Sequence, residues 1–220
     1  MVLEGKVATT NDAGSIPATT ARQSFTTTKQ GGQMNILSSN NKTGYSTNMP
    51  IEQTCLKDCP FYVDKSCYGM RKGRPVTLAS SVTANDLRLD LYLTDPQSYF
   101  DRLRTEIVSR KLTHLRVNGI GDLPDIDYAR LMARLARTLP SVKLWIATRK
   151  KTICEAIVWP DNVIVRYSDG IQGEHTSEVV LREDQASCPA TRSDSGIHNC
   201  SQCGWKCFDK DIPNVSFLKH

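Results

Sequence analysis

Eight cysteines occur in the 220-residue chain, and seven of them fall into two groups. Cys55, Cys59 and Cys67 form a C-x3-C-x7-C run, and Cys188 is followed by the C-x2-C-x3-C run of Cys200, Cys203 and Cys207. Three thiolates can hold three irons of a cubane [4Fe-4S] cluster and leave the fourth iron to a small molecule or a distant residue. Four thiols in a short stretch suit a closed centre, either iron-sulfur or structural zinc. Close spacing also lets backbone amides point at the sulfurs. Spacing alone does not choose between the metals, but a first group of three sulfurs rather than four favours iron-sulfur over zinc. His198 stands near enough to the second group to be an alternative ligand, although a surface histidine is the simpler reading. Cys154 stands alone in the apolar run Thr152-Ile153-Cys154-Glu155-Ala156-Ile157, where a free cysteine serves as a small buried hydrophobe.

A second candidate is the turn-rich run Asn118-Gly119-Ile120-Gly121-Asp122-Leu123-Pro124. A carboxylate at Asp122 could accept a cofactor or substrate amine or act as a general base, and glycines beside it suggest close backbone approach to a ligand. Asn118, Gly119, Gly121 and Asp122 are therefore the candidate cofactor-binding residues, the plainer alternative being that Asp122 only caps a helix. Asp169, in Ser168-Asp169-Gly170, has the same ambiguity in an ordinary turn. Two compact basic clusters, Arg71, Lys72 and Arg74, and Arg149, Lys150 and Lys151, could hold nucleic-acid phosphates. Arg130, Arg134 and Arg137 recur at helical spacing and read as a solvated helix face. No phosphate loop, dinucleotide-binding glycine motif or hydrolase nucleophile motif is present, so kinase, NTPase, dehydrogenase and serine hydrolase readings have no support.

The elements that must position these residues become regular from about Thr94. Asp95-Pro96 is a helix start, and Tyr99, Phe100, Leu103, Ile107 and Val108 continue at helical spacing to about Arg110. Thr113 to Val117 alternates polar and apolar as a strand does. Asp125 can cap a second helix whose Leu131, Leu135 and Leu139 face one way, with Pro140 as its stop. Val142 to Ala147 is a second strand, Thr152 to Val158 a short helix, and Asn162 to Tyr167 a third strand. Alternation of this kind implies an α/β body with a small parallel sheet, and ligands then sit beyond the carboxyl ends of the strands. The segments at 118–124, 148–151 and 168–170 all fall there.

Composition bounds the rest. With 23% charged and 39% hydrophobic residues the chain has the make-up of a soluble globular protein, and no run approaches the apolar length of a membrane span. The polar opening has no charged-then-apolar leader, so the expected location is cytoplasmic, where clustered thiols bind metal rather than form disulfides. The net charge of +5 permits contact with a polyanion without the strong excess of a dedicated nucleic-acid binder. Residues 1–40, rich in Thr, Ser, Asn, Gly and Gln, read as a disordered arm, and 41–220 as one α/β metal-binding domain. Met34 is a plausible alternative start. Oligomeric state is not legible.

The run Asn41-Lys42-Thr43-Gly44, Thr54-Cys55-x3-Cys59-Pro60, Cys67-Tyr68, Gly121-Asp122-Leu123-Pro124, Cys188-Pro189-Ala190 and Cys200-x2-Cys203-Gly204 resembles a cysteine-rich family of phages, plasmids and bacterial genomes. This is the gene product 88-like group, which carries no assigned activity; the resemblance spans about residues 40 to 220. A weaker similarity is to the radical S-adenosylmethionine enzymes. There Cys55, Cys59 and Cys67 match the cluster loop, Gly119 to Pro124 resembles the turn near the methionine moiety, and Tyr167 to Gly170 a later strand end. That resemblance implies a partial barrel, one or two [4Fe-4S] clusters, S-adenosylmethionine as a ligand, and an auxiliary cluster at Cys188 to Cys207. It departs from that pattern in cysteine spacing and in having room for about three strand-helix units. Two function classes fit: an iron-sulfur protein, with a radical-SAM-like or redox enzyme as one form of it, and a zinc-stabilised nucleic-acid-binding module.

Overall fold

Alternation along a strand decides which side of a sheet each residue serves. In His114-Leu115-Arg116-Val117, Lys143 to Thr148 and Val163 to Ser168, one parity is aliphatic and the other carries arginine and tryptophan. The computed structural model of the protein describes residues 34–71 and 78–219, and shows that both parities are covered. The expected arm over residues 1–33 and the basic residues Lys72 and Arg74 lie outside the described residues.

Among the described residues seven strands form one sheet in chain order: β1 (Ser38–Asn40), β2 (Gly44–Ser46), β3 (His114–Val117), β4 (Lys143–Thr148), β5 (Val163–Ser168), β6 (Thr176–Val180) and β7 (Asn214–Leu218). β1 and β2 are an antiparallel hairpin, and every later neighbour pair is parallel. The register runs Val117 to Ile146 and Ile146 to Val165 through the centre. The α/β expectation with a parallel sheet is met, with more strands than the three legible ones. Among the described residues β1 and β7 are the two edges of the sheet.

The helices are α1 (Ile51–Thr54), α2 (Pro60–Val63), α3 (Ala79–Thr94), α4 (Pro96–Ser109), α5 (Ile126–Arg137) and α6 (Lys151–Glu155). Asp95 and Asp125 cap α4 and α5, accepting from the amides of Ser98 at 3.0 Å and Tyr128 at 2.8 Å. Tyr92, Tyr99, Phe100, Leu103, Tyr128 and Met132 from α3, α4 and α5 pack against Leu115, Val117, Leu144, Ile146 and Val163. Tyr92, Tyr99, Phe100 and Tyr128 meet mostly edge to face, the favoured aromatic arrangement. The buried side of α5 is centred on Tyr128, Met132 and Leu135, and Leu131 is only partly covered. Cys154, as expected, is a core residue here.

Among the described residues the cluster on the other side of the sheet contains no α-helical residue. Trp145 of β4, Ile164 of β5 and Val215 of β7 pack with Cys207 and Phe208 from the irregular chain between β6 and β7. That irregular chain carries the whole second cysteine group.

Met34, Ile36 and Leu37, within the stretch read from sequence as an arm, pack into the main core. The reason is local: Ile36 and Leu37 are apolar, and both are buried. Their amides donate to the Glu106 carboxylate at 2.6 and 3.1 Å, and Arg88 Nε donates to the Asn35 carbonyl at 3.1 Å. Among the described residues no helix is long and apolar enough to cross a membrane. Hydrogen bonds to a charged group are the stronger kind, so Glu106→Ala is expected to lower unfolding free energy by roughly 2 kcal/mol in urea denaturation. An unchanged midpoint would show that residues 34–37 are not held by this carboxylate.

Candidate metal centres

Each cysteine of the first group stands at the end of a short helical turn. Cys55 closes α1, its amide donating to the Ile51 carbonyl at 3.0 Å. Cys59 opens α2, where Pro60 at the first helical position fixes the start. The chain then reverses through Lys65, whose φ of 58° is left-handed, and the Cys67 amide returns to the Phe61 carbonyl at 2.9 Å. The amides of Gly69 and Met70, in the 3-10 turn Tyr68–Met70, donate to the Cys67 sulfur. A Cβ at Gly69 would come within 2.5 Å of Ile51 Cδ1, so this turn tolerates only glycine without movement of its neighbour. Sequence reasoning did not single out Gly69. All three thiols are free and partly exposed.

They neighbour one another and the carboxyl ends of β3 and β4. Burial pushes the Cys55 thiol up to about 12, and the Asp122, Cys67 and Cys59 charges push the same way against Lys150. Burial likewise raises Cys67, with the amides of Gly69 and Met70 and the Arg149 charge opposing it. Thr54 ties the cysteine segment to the β3 loop, donating to the Pro50 carbonyl at 2.7 Å and accepting from the Asp122 amide at 3.0 Å.

The other candidate cofactor residues sit differently from expectation. Asn118, at φ 53°, is buried and hydrogen-bonds to Thr47 and Tyr128. A Cβ at Gly119 would meet Asn48 Oδ1 at 2.9 Å, and one at Gly121 would meet the Met49 carbonyl oxygen at 2.4 Å. The close approach that these glycines permit is therefore to the chain after β2, a correction to the ligand-approach reading. Asp122 is 5% exposed and accepts from Thr148 Oγ1 at 2.5 Å and from the amides of Leu123 at 2.7 Å and Arg149 at 3.1 Å. Burial raises its pKa against those donors. It fastens the β3 loop to the end of β4 and stands beside Cys55, but it does not present an open carboxylate.

The basic cluster after β4 is engaged within the fold. Arg149 donates to the Asp169 carbonyl at 2.7 Å and lies over the Phe61 ring, and Lys150 donates to the Leu123 carbonyl at 2.6 Å. Lys151 pairs with Glu155 at 3.6 Å. Arg71 ends the turn that follows Cys67. On α5, Arg130, Arg134 and Arg137 are exposed and line a shallow groove with Val158.

The second group is assembled over the helix-free side of the sheet. The Cys188 amide donates to the Ser216 carbonyl of β7 at 2.9 Å, and the Cys200 amide to the Lys42 carbonyl in the β1–β2 turn at 2.9 Å. Gly204 and Trp205 both have positive φ, at 73° and 59°, which turns the chain so that Cys207 follows Cys203 back into the site. Trp205 stacks on His114 of β3, with ring centroids 4.4 Å apart and planes 5° from parallel. The amide of Ala190 donates to the Cys188 sulfur. Burial pushes Cys200 up to about 11 and Cys207 up to about 12, and each is raised further by other thiols of its own group. His198 is exposed, as a surface histidine is.

The two groups do not share one site. The thiols that interact with Cys55 and Cys67 belong to the first group, and those that interact with Cys188, Cys200 and Cys207 belong to the second. The Arg116 guanidinium feels the charges of Cys207, Cys200 and Cys188 and of Tyr68. Among the described residues, no three His, Cys, Asp or Glu side chains are close enough to hold a single metal ion.

Two cations floor the second group. Arg166 of β5 is fully buried and donates to the carbonyls of Cys207 at 2.9 Å, Asp209 at 2.9 Å, Ile212 at 2.8 Å and Pro213 at 3.1 Å. Arg116 of β3 lies over the Trp145 ring at 4.7 Å, and its buried Nε has no hydrogen-bond partner. Among the described residues neither has a carboxylate within ion-pair distance. Burial pulls the Arg116 pKa down, and Cys207, Cys200, Tyr68 and Cys188 act in the opposite sense.

An α/β protein with two separate thiol sets is thus defined. The family described as gene product 88 matches residues 16–210, and the chain belongs to that family, the phage-type one expected from the motif run. The match reaches back past Met34. No curated protein and no solved structure matches the chain.

The raised thiols carry a pH consequence for metal-free protein. Only thiolate attacks an alkylating agent, so Cys55, Cys200 and Cys207 are expected to react at pH 8 at least ~100-fold more slowly than a free cysteine. Their rates should climb as pH rises toward their pKa values, read by mass spectrometry of peptides; flat, fast labelling at pH 8 would contradict the burial argument.

Proposed function

We propose that this is an iron-sulfur protein with two centres, an open one held by Cys55, Cys59 and Cys67 and a closed one held by Cys188, Cys200, Cys203 and Cys207. The observation that carries the reading is two sets of free thiols, each set's members acting on one another's charge. Amides aimed at Cys67 and Cys188 fit sulfurs that carry negative charge.

Three protein thiolates leave one iron for a small chelating ligand, and S-adenosylmethionine is one such molecule. When bound, a cluster supplies one-electron chemistry. The protein's own contributions are to hold the three thiols at turn ends, to aim the Gly69 and Met70 amides at Cys67, and to brace the loop through Thr54 and Asp122.

Anaerobically produced protein is expected to contain iron and acid-labile sulfide and to absorb near ~400 nm, as thiolate-ligated clusters do. Cys55→Ala should lose the iron of the open centre. Protein holding zinc without sulfide, or neither metal, would replace this reading with a zinc-stabilised module, whose nucleic-acid binding would weaken steeply with salt.

A further inference from the structure

The groove between α5 and the chain after α6 sets exposed cations against exposed apolar surface. Arg130, Arg134 and Arg137 recur at helical spacing along α5 and extend over about 10 Å of its length at 1.5 Å per residue. Ala156, Ile157 and Val158 line the groove with them. Val158 is 82% exposed, more than any other large apolar residue among the described ones.

The cations are not neutralised within the fold. Among the described residues no carboxylate lies within ion-pair distance of Arg134 or Arg137. Arg130 pairs with Asp127 at 2.8 Å, but both side chains are largely in solvent, and a pair of that kind exchanges readily for another carboxylate. Glu155, at the end of α6, is engaged by Lys151 at 3.6 Å. The walls are also fixed in place. Arg137 donates to the Val158 carbonyl at 2.5 Å, Trp159 Nε1 to the Cys154 carbonyl at 3.1 Å, and Asn162 Nδ2 to the carbonyls of Ala136 at 3.0 Å and Leu139 at 2.9 Å. These bonds tie the chain after α6 to the end of α5, so a partner meets a surface that needs little ordering.

The shape and chemistry of the groove select its occupant. Its volume of about 170 Å³ is below the roughly 300 Å³ at which pockets begin to enclose small ligands, which suits a segment of a macromolecule laid across it. Guanidinium forks match planar anions, carboxylate or phosphate. The apolar wall decides between these. Single-stranded bases bind by stacking on rings, and among the described residues no aromatic side chain lines the groove. An apolar side chain flanked by carboxylates satisfies the arginines and covers Val158 together.

We propose that the α5 groove is a docking surface for an acidic segment of a partner protein, whose carboxylates engage Arg130, Arg134 and Arg137 and whose apolar side chain covers Val158. This is independent of what the thiols hold.

The test follows, by fluorescence anisotropy at about 50 mM salt, the binding of a labelled peptide of glutamates interrupted by leucines to the full chain. The same peptide with serine in place of leucine, and an oligothymidylate, are compared with it. The leucine peptide is expected to bind, with affinity falling ~10-fold or more in Arg134→Glu and ~3-fold or more in Val158→Ser. The serine peptide should bind more weakly and be indifferent to Val158→Ser, since the contact that this variant removes is already missing. Both replaced side chains are exposed, so the variants are expected to keep the fold. Failure of the leucine peptide to bind would overturn the proposal, as would equal losses for the two peptides in Val158→Ser. Tighter binding of the oligothymidylate, weakened by Arg134→Glu, would overturn it in favour of a nucleic-acid surface.

Discussion

A parallel sheet wound in one direction has its helices on one side only, and the opposite side must be covered by chain of another kind. In this protein the cover is the irregular segment between β6 and β7, and it is short of aliphatic residues. Aromatic rings from Trp145, Trp205, Phe208 and Phe217 supply part of the burial. The rest of the contact is polar: carbonyls of the segment satisfy Arg166, and the charges of Cys207, Cys200 and Cys188 act on Arg116. The covering segment and the sheet thus depend on each other through charge as much as through apolar contact.

The opposite end of the strands is built on a different principle. Loops after β2, β3 and β4 are fastened by short polar links, with Thr54 and Asp122 as the knots. These links fix the position of Cys55 relative to the sheet while leaving its thiol partly open. One set of thiols is therefore enclosed by rings and cations and the other is held at a rim.

The sequence made the central units legible because their signals are local. Asp95 and Asp125 are caps, and β3, β4 and β5 alternate or run apolar in the expected way. α3 escaped notice because Leu87, Leu89, Leu91 and Leu93 alternate as a strand does, whereas only Leu89 among them is buried and Arg88 and Asn85 share its buried side. Arg116 and Arg166 were illegible for a related reason. A polar residue on alternate strand positions reads as solvent-facing, and what covers it arrives from far along the chain. The glycines at 119 and 121 did mark close contact, but nothing local says whether the partner is a ligand or, as here, the backbone near Met49. Clustering of the cysteines was legible; their division into two separate sites required the fold.

The position of β7 after the thiol-bearing segment has a bearing on biosynthesis. On the ribosome, Cys55, Cys59 and Cys67 emerge with the chain that forms β3 to β5 soon behind them, so the rim can be shaped while translation continues. Cys188 takes its backbone partner from Ser216 of β7. The Cys188 amide therefore gains its partner last, and a chain lacking the final strand would leave it unpaired.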